Sequence, residues 1–81
     1  MRLRILFFSL LRDVTGAAEI ERDVPEGTTV AGLLERLYTE WPALREWDGK
    51  ALVAADHAYV RRDAVLTAGQ EVAVMPPVQG G

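Results

Sequence analysis

The sequence of 81 residues contains no cysteine and one histidine. The absence of cysteine excludes disulfide bonds, thiolate metal ligands and a cysteine nucleophile. With His57 alone, the sequence indicates neither a metal-ligand cluster nor a catalytic triad, so we interpret His57 as a surface or sheet-edge residue. We therefore expect no bound metal or cofactor, and a function that does not depend on a reactive side chain.

Positive charge and long apolar runs are also scarce. Nine lysines and arginines are spread thinly against twelve acidic residues, giving a net charge of −3, and no basic stripe suits a nucleic-acid backbone. The apolar run from Leu3 to Leu11 is interrupted by Arg4 and Ser9. It is too short to span a bilayer, and no small-residue cleavage site follows it. We expect neither a nucleic-acid nor a membrane partner, and a cytoplasmic location.

Alternation of apolar and polar residues predicts several strands. The clearest are residues 2–8, 19–24 and 71–75, and shorter extended pieces are predicted at 51–55 and 57–62. The first two strands are joined by a short segment, which favours a hairpin. The pattern predicts a mixed sheet.

The helical signals are fewer. A short helical turn closes at Gly16, and one main helix follows an N-cap at Thr28 or Thr29. Its apolar stripe continues to Trp41, and Pro42 ends it, with a loop holding Trp47 beyond. One helix on one face of a mixed sheet is an α+β arrangement, and we predict a β-grasp (ubiquitin-like) roll with its first and last strands parallel at the centre.

We predict that residues 1–75 form a β-grasp domain. Residues 76–81, with the sequence PPVQGG, are predicted to form an extended tail. Pro76 and Pro77 fix their own φ angles and favour a directed spacer leading into Val78. Gly80 and Gly81 carry no side chain and suit a channel that admits bare backbone. The tail is either idle, as many termini are, or its function lies in the carboxylate of Gly81.

Three stretches resemble a known family: LFFSLLRDVTG, DGKALVAADHAYV and LTAGQEVAVMPPVQGG. Together they resemble the small, sulfur-carrying subunit of molybdopterin synthase (MoaD), over essentially the whole chain. The most specific part is the terminal PPVQGG with the strand before it. Two residues depart from the family pattern: Asp56, where relatives often have Asn, and Met75, where an aromatic residue is common.

The resemblance implies the β-grasp fold and a role for the terminal carboxylate. Gly81 would be adenylated by an E1-like (MoeB-like) activating enzyme that uses ATP and Mg²⁺. It would then be converted to a thiocarboxylate with sulfur from a donor protein. The tail would enter the large (MoaE-like) subunit and give its sulfur to a cyclic pterin precursor there. The chain would be a non-catalytic subunit.

The outward face of the two central strands predicts a docking surface. It begins charged and becomes apolar at the end where the tail leaves, and Tyr59 alternates toward the same face. Exposed apolar clusters of this kind mark interfaces. Arg12 provides a polar rim in one interpretation and an ordinary solvated turn in another. Residues 61–63 are interpreted as a solvated turn, with a contact to the activating enzyme as the alternative. The predicted partner-binding residues are Leu6, Phe8, Arg12, Tyr59 and Met75. The competing interpretation places Leu6 or Phe8 beneath the loop of residues 10–16.

Other functions remain open. The same tail chemistry serves sulfur transfer to a thiazole or to transfer RNA, and conjugation of Gly81 to a lysine would make the chain a protein modifier. A β-grasp binding module with an idle tail is the third possibility. Deletion of Gly81 distinguishes these possibilities. A binding module with an idle tail would keep its function, whereas a sulfur carrier or a protein modifier would lose it.

Overall fold

The computed structural model describes residues 1–77, and the fold consists of a five-stranded sheet with helices on one side. The strands are β1 (Arg2–Phe7), β2 (Glu19–Asp23), β3 (Leu52–Ala55), β4 (Ala58–Tyr59) and β5 (Glu71–Met75). The helices are α1 (Leu10–Thr15), α2 (Val30–Glu40) and a 3₁₀ helix (Pro42–Trp47). The predicted residues Val78, Gly80 and Gly81 lie outside the described residues.

The strand order is β2-β1-β5-β3-β4. β1 and β5 are parallel at the centre, whereas β2 is antiparallel to β1, and β3 is antiparallel to both β5 and β4. This is the predicted roll with its first and last strands side by side. β4 is shorter than the extended piece predicted at 57–62, since only two of those residues pair with β3.

Side-chain alternation divides the sheet into a buried and an outward face. Leu3, Ile5 and Phe7 of β1 are buried, as are Val72 and Val74 of β5. They share one apolar core with the buried face of α2, formed by Val30, Leu33, Leu34, Leu37 and Tyr38. Burial of this face of α2, rather than helix propensity alone, stabilises so short a helix.

The ends of α2 follow from its capping residues. The Thr29 hydroxyl accepts a hydrogen bond from the Gly32 N–H at 3.1 Å, which identifies Thr29 as the N-cap. The helix ends at Glu40, because Pro42 disfavours the α conformation at Trp41. Trp41 therefore lies just beyond the helix, where its ring meets Phe7 edge to face at 5.8 Å.

Two predictions for the connecting segments are wrong. Residues 42–47 form a 3₁₀ helix that buries Leu44, where the sequence pattern predicted only a loop. Arg62, in the turn predicted at residues 61–63, is half-buried rather than solvated. Its guanidinium donates to the Ala51 carbonyl at 2.8 Å and pairs with Asp48 at 3.4 Å, so it ties the segment after the 3₁₀ helix to the loop before β5.

Candidate functional site

A groove of about 400 Å³ lies on the outward face of the sheet. We call it the docking groove, and define it by the residues that line it: Leu6, Phe8, Ala54, His57, Tyr59, Glu71, Ala73 and Met75. Four of the five predicted partner-binding residues are in this set. Arg12 is exposed on α1 and is not part of the lining.

The floor of the docking groove follows from strand register. Leu6 of β1 is paired with Ala73 of β5, Ala73 with Ala54 of β3, and Ala54 with Tyr59 of β4. Partners in register point to the same face of a sheet, so these four side chains form one row across four strands. The two central members are alanines and the outer two are large, which leaves a hollow in the middle.

The apolar rim is formed at the end of the sheet where β1 and β5 both terminate. Because these strands are parallel, with Phe7 paired to Val74, Phe8 follows β1 at the same level as Met75. Phe8 is 44% exposed and Tyr59 is 71% exposed. The loop after β1 therefore leaves Phe8 uncovered, contrary to the competing interpretation, while Leu6 in the floor and Met75 in the rim are half-buried.

Backbone geometry explains why Phe8 points outward. Ser9 has φ 55° and ψ −126°, and the Leu11 N–H donates to the Phe8 carbonyl at 3.1 Å. These values match the first central position of a type II′ turn, where glycine is the preferred residue. A serine in this conformation is strained. The turn reverses the chain at once, so that Leu11 is buried while Phe8 and Leu10 remain exposed.

The other half of the outward face is charged. Arg2 binds Glu21 and Asp23, each at 3.0 Å, and Arg4 binds Glu19 at 2.9 Å. These hydrogen bonds to carboxylates raise the pKa of both arginines. The outward face is thus an ion-pair ladder at one end and an apolar groove at the other, as the alternation of β1 and β5 predicted.

A polar end of the docking groove lies between these two halves. Glu71 begins β5 and lies 3.4 Å from Arg4, and its other carboxylate oxygen is 3.9 Å from Nε2 of His57. His57 is exposed, as predicted. Ala54, His57 and Glu71 were missed as lining residues, although the pairing of β3 with β5 would have indicated Ala54.

Nothing within residues 1–77 groups three or more metal-ligating side chains. Across the same residues, no helix is long and apolar enough to cross a membrane. Pro76 and Pro77 follow β5 directly and are half-buried. Their predicted role as a spacer, and the division of the chain at residue 75, stay predictions.

Comparison with known proteins identifies the class of this chain. It belongs to the ThiS family, whose model matches residues 5–81. Its curated relatives include the molybdopterin synthase sulfur carrier subunit of Escherichia coli (strain K12). The two are 39% identical over 98% of this chain and 99% of the relative. The resemblance that the sequence motifs indicated is confirmed.

Solved structures agree with this assignment. A chain described as molybdopterin converting factor, subunit 1, from Pyrococcus furiosus matches with a TM-score of 0.88 and 28% identity, over 96% of this chain and 99% of that one. SAMP1 of Haloferax volcanii, the small archaeal modifier protein 1, matches with a TM-score of 0.87 and 28% identity over all of both chains. The predicted β-grasp fold is confirmed.

A more distant structure shares the fold alone. It is the complex of subunits 1 and 2 of molybdopterin-converting factor from Helicobacter pylori 26695. One of its chains matches with a TM-score of 0.69 and 21% identity, over 100% of both chains.

Proposed function

We propose that this chain carries sulfur for molybdenum cofactor biosynthesis on the carboxylate of Gly81, as a non-catalytic subunit of molybdopterin synthase. The observation that carries the proposal is the parallel pairing of β1 and β5. It sets the apolar rim of the docking groove, at Phe8 and Met75, at the sheet end from which the chain continues into PPVQGG. The name of the E. coli relative supports the same function.

The chemistry uses one carboxylate. One of its oxygens attacks the α-phosphorus of ATP, with Mg²⁺ present, and pyrophosphate leaves, so that a mixed anhydride with AMP is formed. A sulfur nucleophile at the sulfide level then attacks the acyl carbon, and AMP leaves with its electron pair. The product is a thiocarboxylate, whose sulfur attacks a carbon of the pterin precursor and displaces an oxygen leaving group there, so that a thioester joins the two molecules. Water then attacks the thioester carbonyl, the sulfur leaves on the pterin, and the carboxylate is restored, so the chain is regenerated rather than consumed.

In this proposal the folded domain positions the tail, and the partner proteins supply the catalytic residues. The docking groove binds the large subunit of molybdopterin synthase and, at another stage, the activating enzyme. Burial of a large apolar side chain such as Phe8 contributes about 1.5–3 kcal/mol. The complex of subunits 1 and 2 from H. pylori supports a partner of this kind.

Intact mass spectrometry tests the function directly. The chain is mixed with an E1-like activating enzyme from the same genome, MgATP and a sulfur donor. We expect a mass gain that corresponds to one oxygen replaced by one sulfur. A chain made with a C-terminal amide is the control, because it keeps the fold and cannot be adenylated. An unchanged mass for the natural chain, with an activating enzyme that is active on another carrier, contradicts the proposal.

A second candidate function is protein modification. The match to SAMP1, a small archaeal modifier protein by name, favours it. The same adenylate would then be attacked by a lysine amine, and AMP would leave as the amine loses a proton, which gives an isopeptide bond. Anti-tag blots of cells that express the tagged chain would show adducts of higher mass, which disappear when Gly81 is deleted. Transfer to a thiazole or to transfer RNA would instead be recognised from the sulfur acceptor.

A further inference from the structure

The docking groove is apolar except at one end, where Glu71 lies in its wall. We propose that Glu71 selects the partner by charge: the large subunit inserts an apolar side chain into the groove and sets an arginine or lysine against this carboxylate. The inference rests on the proposed function, since it names the chemistry of the partner at the same site.

The position of Glu71 is fixed by its backbone. The Asp56 carboxylate accepts a hydrogen bond from the Glu71 N–H at 3.0 Å, and the Asp56 N–H donates to the Glu71 carbonyl at 2.9 Å. On its other side, Glu71 is paired with Arg4 of β1. The side chain is 28% exposed. A carboxylate held in this way presents a charge at a defined place in the groove wall.

The charge of Glu71 is incompletely neutralised by its neighbours. Arg4 directs its hydrogen bonds to Glu19, at 2.9 and 3.3 Å, and approaches Glu71 only to 3.4 Å. His57 lies at 3.9 Å and is charged only when protonated. Two arginines on this face pair with four carboxylates, those of Glu19, Glu21, Asp23 and Glu71. The formal charges of these six side chains therefore sum to −2.

A partner that covers the groove removes water from Glu71. Desolvation of a carboxylate is unfavourable unless a cation or other donors replace the water. An arginine suits this place because its planar fork binds a carboxylate through two hydrogen bonds. A partner without a cation here would leave the carboxylate buried and underpaired, so Glu71 also rejects partners that are merely apolar.

Affinity measurements at several salt concentrations test the inference. The large subunit of molybdopterin synthase from the same genome is titrated with the natural chain and with Glu71→Gln, Glu71→Arg and Glu21→Gln. Glu21 is the matched control, because it lies on the same face, pairs with Arg2 and does not line the groove. We expect Glu71→Gln to raise Kd by about tenfold or more and to reduce its salt dependence, and Glu71→Arg to raise Kd further. Glu21→Gln should stay within about twofold of the natural chain.

Equal affinities for the natural chain and Glu71→Gln overturn the inference, as does an equal loss for Glu21→Gln. Thermal unfolding of each variant establishes that the fold is kept. Thiocarboxylate formation on the natural chain is measured separately by mass. Absence of that product would contradict the proposed function without touching the binding result, so the two failures are distinguishable.

Discussion

Asp56 and Glu71 bind each other through two reciprocal hydrogen bonds. The Asp56 N–H donates to the Glu71 carbonyl at 2.9 Å, and the Asp56 side chain accepts from the Glu71 N–H at 3.0 Å. Asp56 also has φ 49°, in the left-handed region that asparagine and aspartate tolerate well. One residue therefore closes the β3–β4 hairpin and holds the first residue of β5.

Replacement of Asp56 tests that double role. We expect Asp56→Ala to lower the free energy of unfolding by about 1 kcal/mol, since the Glu71 N–H loses its acceptor. Asp56→Asn should change it by less than about 0.5 kcal/mol, because an amide oxygen accepts the same bond and asparagine tolerates this backbone. Urea denaturation measures both. A loss for Asn as large as that for Ala would show that charge, and not the hydrogen bond, is what matters.

The strained turn at Ser9 predicts a substitution that raises stability, whereas Asp56→Ala is expected to lower it. Ser9→Gly should raise the free energy of unfolding by about 1 kcal/mol, because glycine adopts φ 55° without the steric cost that serine bears. The matched control is Ser9→Ala, which keeps the strain. It removes a hydroxyl that makes no capping bond to α1, and should change stability little. A Gly variant no more stable than the Ala variant would contradict the assigned strain.

Phe8 is predicted to dock the large subunit, and the chain offers a close control. Phe8→Arg should raise the Kd for that subunit by about 30-fold, which corresponds to about 2 kcal/mol of lost apolar burial. Leu10→Arg changes a residue of similar exposure, 53%, that does not line the docking groove. Its Kd should stay near that of the natural chain. Calorimetric titration that finds Phe8→Arg unchanged would rule out this use of the groove.

The raised pKa of Tyr38 predicts that the protein loses stability at alkaline pH. Burial, followed by the hydrogen bond to Asp48, raises the pKa of Tyr38 to about 12. Arg62 opposes this rise, and Arg45 lies over the ring at 5.0 Å. The phenol is protonated in both folded and unfolded chains below pH about 10. Between about 10 and 12 only the unfolded chain loses the proton, so stability falls through that window.

Tyr38→Phe isolates this effect. The variant lacks the titrating group, so its free energy of unfolding should fall less steeply above pH 10 than that of the natural chain. Urea denaturation at a series of pH values gives the difference between the two slopes. Identical slopes would mean that Tyr38 does not titrate differently in the two states.

Much of the fold was predictable because its signals are local. The alternation in β1 and β5 identified their buried residues, and the stripe from Val30 to Tyr38 identified the buried face of α2. The 3₁₀ helix was not predictable in the same way. Six residues with one buried apolar side chain, Leu44, have no periodicity to detect. The partial burial of Arg62 was not predicted, because its hydrogen-bond partner, Ala51, becomes its neighbour only in the folded chain.

The candidate site was predicted in its rim and in part of its floor. The alternation pattern identifies Phe8, Tyr59 and Met75 as apolar residues at outward positions. Alternation in β5 also places Ala73 on the outward face, but Ala54 was missed, since an alanine in a strand gives no sign of facing a groove. The hollow exists only because register places these two small residues side by side across β3 and β5. Glu71 likewise becomes a candidate binding residue only because strand register places it beside the groove.

The amino terminus lies at the end of β1 opposite the apolar rim of the docking groove. The Met1 ammonium donates to the Val24 carbonyl at 2.6 Å, and β1 then carries the chain about 20 Å along the sheet before Phe8. A fluorophore, purification handle or surface tether fused ahead of Met1 would therefore emerge at the end of β1 opposite Phe8. Immobilisation through that end keeps the apolar rim, at Phe8 and Met75, open to solution.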